Sequence, residues 1–132
     1  MVVQAFLLCD SVVQDAQTGK SFVHGIFDRI WARSFPAVHR SCAAFFRIRF
    51  DDQGDHNVSL NLIAPSGLRQ PTPSIPVTVG PTNIAQGTIN IQGLPLPEEG
   101  RYEFELRVDD QRVASYLLDV IAVGEQSHGN LH

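Results

Sequence analysis

Residues 14–21, QDAQTGKS, end in Gly19-Lys20-Ser21, the three residues that close a phosphate-binding P-loop. That chemistry also needs a glycine five positions before Gly19, a preceding strand, and a following helix whose N-terminus faces the phosphates. Position 14 is Gln14, and the next stretch, SFVHGIFDRIW, is rich in β-branched and aromatic residues. The segment therefore reads as two strands joined by a turn in which Gly19 supplies a positive φ. No nucleotide site is expected there.

A nucleophile–base pair is the next candidate, drawn from Cys9, Ser11 and His24. With a loop of Asp15 to Gly19, Gln14 pairs with Lys20, which sets Asp10 opposite His24 and Cys9 opposite Gly25. One face then carries Phe6, Leu8, Asp10 and Val12 with Phe22, His24, Ile26 and Ile30. The other carries Val3, Leu7, Cys9 and Ser11 with Val23, Phe27, Arg29 and Trp31. This alternation separates both nucleophiles from His24 and argues against a dyad. It brings Asp10 and His24 together as a polar pair, which without a nucleophile or metal is a cross-strand contact rather than an acid–base centre.

Metal chemistry is equally thin. His24 and Asp28 are four residues apart, about 13 Å along an extended strand, too far to share one ion. His39-x-x-Cys42 has ligand spacing but two ligands only. The DDQGDH cluster at 51–56 lacks the ligand spacing of a calcium loop and reads as a hairpin turn. Asn57-Val58-Ser59 spells a glycosylation sequon, without meaning in a cytoplasmic chain. No metal and no cofactor are expected.

The elements that must position these residues are strands. Period-two alternation and turn punctuation recur throughout, and helical periodicity does not. Strands are predicted near 2–13, 20–31, 42–50, 56–64, 84–92, 101–109 and 112–123. In RYEFELRVDD, Tyr102, Phe104, Leu106 and Val108 alternate with Arg101, Glu103, Glu105 and Arg107, so one face is core and the other meets water. DDQ at 109–111 then turns the chain into a C-terminal hairpin. Segment 65–81 carries Pro65, Pro71, Pro73, Pro76 and Pro81 and cannot supply a central strand. It is expected to be a long connection with an edge strand at IPVTV, free to cover a second apolar face of the N-terminal hairpin. Residues 32–41 read as an irregular crossing, and 124–132 as a polar tail on a single domain of 1–123.

Glu98-x-Gly100-x-Tyr102 resembles a tyrosine corner, in which a tyrosine at the start of the penultimate strand bonds back to the preceding loop. Gly100 and Tyr102 are the candidate corner residues. The fold class expected is all-β: a two-sheet antiparallel sandwich, immunoglobulin-like, of about seven or eight strands.

A chain of 132 residues with 43% hydrophobic content can bury a core without disulfides. Its net charge of -4 lies without blocks along the chain, and Lys20 is the only lysine, so nucleic acid is not expected as a partner. Cys9 and Cys42 could form one bridge at most, and two free thiols in a reducing compartment are expected instead. MVVQAFLLCD lacks a basic n-region and its apolar run stops at Asp10, so no signal peptide is read. No stretch approaches the ~18 apolar residues of a membrane span. A cytoplasmic location without membrane contact is expected.

FLLCDSV followed by TGKSFVHGIFDRIWARSFP is similar to a family of short bacterial proteins of unknown function. The matching positions are Leu7, Leu8, Cys9, Asp10; Gly25, Phe27, Asp28, Ile30; Phe35, Pro36; and Gly100 with Tyr102 in the closing hairpin. The resemblance implies a single-domain β protein and supplies no activity.

A sandwich without paired catalytic groups offers surfaces more readily than pockets, so a non-enzymatic protein-binding or assembly module is the leading expectation. The N-terminal hairpin is apolar on both faces, which predicts a homo-oligomer, most simply a dimer, with Phe27, Arg29 and Trp31 as the partner surface. The alternatives are a small-ligand or carbohydrate-binding domain using Trp31 or Tyr116, and a small hydrolase built on Asp10, His24 and Asp28.

Overall fold

The computed structural model describes residues 1–72 and 74–124. Ten strands make two sheets: β1 (Val2–Gln14), β2 (Ser21–Ile26), β3 (Arg29–Ala32), β4 (Ala37–Arg49), β5 (Gly54–Ile63), β6 (Arg69–Pro71), β7 (Ile75–Val79), β8 (Ile84–Leu96), β9 (Gly100–Val108) and β10 (Gln111–Ala122). The first sheet runs β2-β1-β4-β8. The second runs β3-β10-β9-β5-β6, with β7 also paired to β5. The fold is an all-β, two-sheet sandwich, and no helix among the described residues is long and apolar enough to cross a membrane.

The core forms between the sheets because each long strand alternates. Leu8, Cys42, Ala44, Phe46 and Ile48 face inward from the first sheet, and Val58, Leu60, Leu62, Tyr102, Phe104, Leu106, Leu118 and Val120 from the second. Burying such side chains contributes about 1.5–3 kcal/mol each for the larger ones. The β9–β10 hairpin closes through Asp109 and Asp110, at φ 50° and 65°. Two successive positive φ values match the right-handed strand twist, a conformation that aspartate tolerates.

Several sequence expectations change. The predicted strand 20–31 is broken after Ile26. Its second half, β3, enters the other sheet and pairs with β10 in parallel, so the sandwich is not wholly antiparallel. Residues 37–41 of the expected irregular crossing are the start of β4, and the Phe35–Pro36 peptide before them is cis. The 51–56 cluster is not a hairpin turn, because β4 and β5 belong to different sheets and the chain crosses between them. The proline-rich segment supplies two short strands, β6 and β7, both paired with β5. It therefore does not cover the N-terminal hairpin. Glu105, expected on the wet face, is 2% exposed beneath arginines. Residues 125–132 of the expected tail lie outside the described residues.

The N-terminal hairpin is offset by one residue from the predicted register. Asp15 N donates to Lys20 O at 2.8 Å, and Gln14 pairs with Ser21, so Ser11 rather than Asp10 stands opposite His24. The cause is local: Asp15 Oδ1 accepts from Gln17 N at 2.9 Å and Gly19, at φ 72°, turns the chain inside the Asp15–Lys20 backbone bond. A single-residue slip exchanges the faces of every β2 side chain relative to β1.

Candidate functional site

Between Ile26 and Arg29 the chain leaves one sheet and enters the other, and that step opens a notch of about 380 Å³. Asp10, the continuous run Gly25 to Trp31, and His39 line it. A contiguous segment can line one notch here because Phe27 and Asp28 are free of either sheet's ladder. Their backbones are still fixed: Phe27 N donates to Leu8 O at 3.2 Å, and Asp28 O accepts from Asp119 N at 2.9 Å. Tyr116 Oη donates to Phe27 O at 2.7 Å, tying the crossover to β10.

Gly25 shapes the wall. It sits at φ 69°, and a Cβ there would overlap Asp10 Oδ2 and lie 2.8 Å from Asp10 Cγ. Glycine alone lets the Asp10 carboxylate rest over this backbone. Below it, the His39 ring lies 5.4 Å from the Phe27 ring at 47°. Burial pushes the His39 pKa down, against the opposing pull of the Asp10 charge and a backbone hydrogen bond at Ser41, so the imidazole is neutral at pH 7. Its Nε2 is buried without a hydrogen-bond partner among the described residues.

The crossover thus unites several residues singled out from sequence, and separates others. Asp10, Phe27, Arg29 and Trp31 share the notch with Asp28 and His39. Phe27 is not a free surface residue, because it packs against the core. His24 stands apart on the hairpin, so the expected Asp10–His24 pair does not form. Ser11 and His24 are cross-strand partners, and the alternation argument that set them on opposite faces fails with the register. Neither lines the notch.

The thiols are poor nucleophiles. Both are free and buried. Burial, with the Cys9 and Asp10 charges adding to it, pushes the Cys42 pKa up to about 12, and burial likewise raises that of Cys9. Among the described residues no three His, Cys, Asp or Glu side chains gather as metal ligands. In β9, the fully buried Tyr102 donates its hydroxyl to Glu98 O at 2.6 Å and accepts from Glu98 N at 3.0 Å. Gly100, at φ 135°, lies so near Pro65 that a Cβ would sit 2.7 Å from Pro65 Cγ.

A second surface lies on the N-terminal hairpin. Val13 and Phe22 are paired and half exposed, at 52% and 49%, and Ile26 further along β2 is 56% exposed. The hairpin tip is folded over the outer face of its own sheet, where Val12, Gln14 and Ser21 gather around Phe45, Gln86 and Thr88. Phe45 and Ala43, outside the main core cluster, are buried as well.

Fold and notch together define a small β-sandwich with a notch, lined by both polar and apolar side chains, where the chain passes between the sheets. The chain belongs to DUF6941, a family of unknown function, which it matches over residues 4–121. No curated protein matches it. Among solved structures it is similar to Pseudomonas fluorescens alkylpurine DNA glycosylase AlkC bound to DNA containing an abasic site analogue, at 9% identity and a TM-score of 0.55. That match covers 89% of this chain and spans 30% of the glycosylase chain, and at such identity it speaks to the fold alone.

Proposed function

We propose that this chain is a non-enzymatic protein-binding and assembly module that associates through its β1–β2 hairpin. The observation that carries the reading is the half-exposed apolar group Val13, Phe22 and Ile26. Gathered apolar exposure of this kind on a soluble domain marks interaction surfaces. A two-fold dimer is the simplest association, since one patch then covers its own copy. This replaces Phe27, Arg29 and Trp31 as the self-association surface. The free buried thiols Cys9 and Cys42 fit a reducing, cytoplasmic setting. The Tyr102 back-bond to Glu98 supports an immunoglobulin-like sandwich.

Light scattering coupled to gel filtration tests the reading. The parent is expected to run as a dimer at micromolar concentration, and a Phe22→Asp, Ile26→Asp double variant as a folded monomer. A parent that stays monomeric up to the high micromolar range, or a double variant that remains dimeric, overturns it.

A further inference from the structure

We infer that the open edge of β8 receives an extended, uncharged peptide segment of a partner protein as an added strand. β8 ends the first sheet, and no strand pairs with its outer side among the described residues. Beside it runs a groove of about 430 Å³, lined by every residue from Thr88 to Pro95. One face of a strand presents alternate residues only, so an unbroken run means that the groove follows the strand's edge. Gln70, Pro71 and Thr72, from the edge of the second sheet, line it too. So do Leu62 and Phe104, both in the core, and the groove therefore opens onto the space between the sheets.

The edge decides the kind of occupant. An outer strand carries, at every second residue, N–H and C=O groups that its own sheet does not pair. A hydrocarbon in the groove would strip them of water and return no hydrogen bond. A second backbone pairs with them in register while its alternate side chains enter the groove. Charge decides what those side chains are. Residues 70–97 contain no Asp, Glu, Lys, Arg or His, and this stretch supplies both the β8 and the β6 sides of the groove. A charged side chain would be desolvated there without a partner. Asn90 and Gln92, exposed on β8, suit polar uncharged neighbours across the new pair. The expected segment is apolar at every second position, polar and uncharged between, and about 26 Å long, the reach of a strand matching Thr88 to Pro95.

A second copy of this chain fits the groove less well. Ile89, Ile91 and Leu94, the apolar side chains that its own β8 would bring, are already buried in its core. A free peptide has no such commitment. β8 is also unguarded: edge strands are commonly blunted by charge or proline, and from Ile84 to Leu94 it has neither. β8 and β2 are opposite edges of the sheet, so the inference does not rest on association through the hairpin.

The test is a titration of the synthetic peptide acetyl-SVQVSVQ-amide into the isotopically labelled full chain, followed by NMR. Saturable shifts are expected at residues 88–94, with amide exchange slowed at every second residue of that run. Two further peptides carry N-methyl groups, one on its valines and the other on its serines and glutamines. Only one of these sets of amides can face β8, so one methylated peptide should lose binding and the other keep it. Ile75→Asp, which places a charge in the groove lining, should weaken binding about tenfold or more. The methylated pair leaves the protein unaltered and decides the matter whether or not that variant folds. Absence of saturation overturns the inference. Equal affinity of the two methylated peptides does so as well, since it marks apolar filling without strand pairing. Slowed exchange at 88–94 that grows with protein concentration and needs no peptide assigns the edge to a second copy, and likewise overturns it.

Discussion

Gln86 Nε2 donates to Ser21 Oγ at 2.8 Å, although the two residues belong to β8 and β2, the opposite edge strands of one four-stranded sheet. The hairpin tip must therefore arch across the outer face of the sheet. Arg47 extends the link, donating to Gln86 Oε1 at 2.7 Å and to Gln4 Oε1 at 2.8 Å. Gln86→Ala is expected to cost about 0.5–1.5 kcal/mol, the worth of an ordinary hydrogen bond. Hydrogen exchange should rise within residues 12–24 and not in β9 or β10. Uniform protection across the chain would show that the arch is held by other contacts.

Gly25→Ala is expected to destabilise the fold by about 1–3 kcal/mol, because it combines a positive φ with a collision against Asp10. Adding Asp10→Ala removes the collision and leaves the φ cost. The double variant should thus recover part of the loss in urea midpoint over Gly25→Ala alone, and no recovery would mean that backbone conformation is the whole effect.

Tyr102→Phe removes a hydroxyl that both donates to and accepts from the Glu98 backbone in a fully buried position. A loss of about 0.5–1.5 kcal/mol is expected by denaturant unfolding. An unchanged midpoint would show that the corner bond adds nothing to the packing of the ring.

Glu105 is 2% exposed and accepts from Arg107 at 2.6 Å, Asn61 at 3.3 Å and Arg69 at 3.4 Å. Burial raises its pKa, but hydrogen bonds from Arg107 and Asn61 and the charges of Arg69 and Arg107 outweigh it, and the net direction is down. A depressed folded pKa contributes stability above the unfolded carboxylate range, which is lost as pH falls through the folded value. Stability should fall with acid from about pH 4.5 downward. Glu105→Gln should be less stable than the parent at pH 7 by about 1–3 kcal/mol, and the gap should close with acid. Asp109 and Asp119, also lowered, keep part of the acid slope in the variant. A gap that stays constant from pH 7 to pH 3 would remove Glu105 from this account.

The strand ladder was legible because period-two alternation is a one-dimensional signal. RYEFELRV announces β9, and Tyr102 with the preceding Gly100 announces the corner. The turn reading of Gly19-Lys20-Ser21 rested on the same local evidence: Gln14 where glycine is needed, and strand residues where a helix is needed. The notch was legible in pieces, as Asp10, Phe27, Arg29, Trp31 and the His39-x-x-Cys42 spacing, without any sign that they meet.

Tertiary structure decided three things. The hairpin register depends on the Asp15–Gln17 turn bond, worth little by itself, yet a slip of one residue exchanges both faces of β2. The break at Phe27–Asp28 follows from pairing of β3 with β10, a strand some ninety residues later, and no local pattern reports a partner at that distance. The burial of Glu105 needs Arg69 from β6, Arg107 from β9 and Arg112 from β10 on one face. Alternation fixes which way a side chain points on its own strand. What it meets there depends on which strands lie alongside, and that is settled by packing energies summed over the whole core.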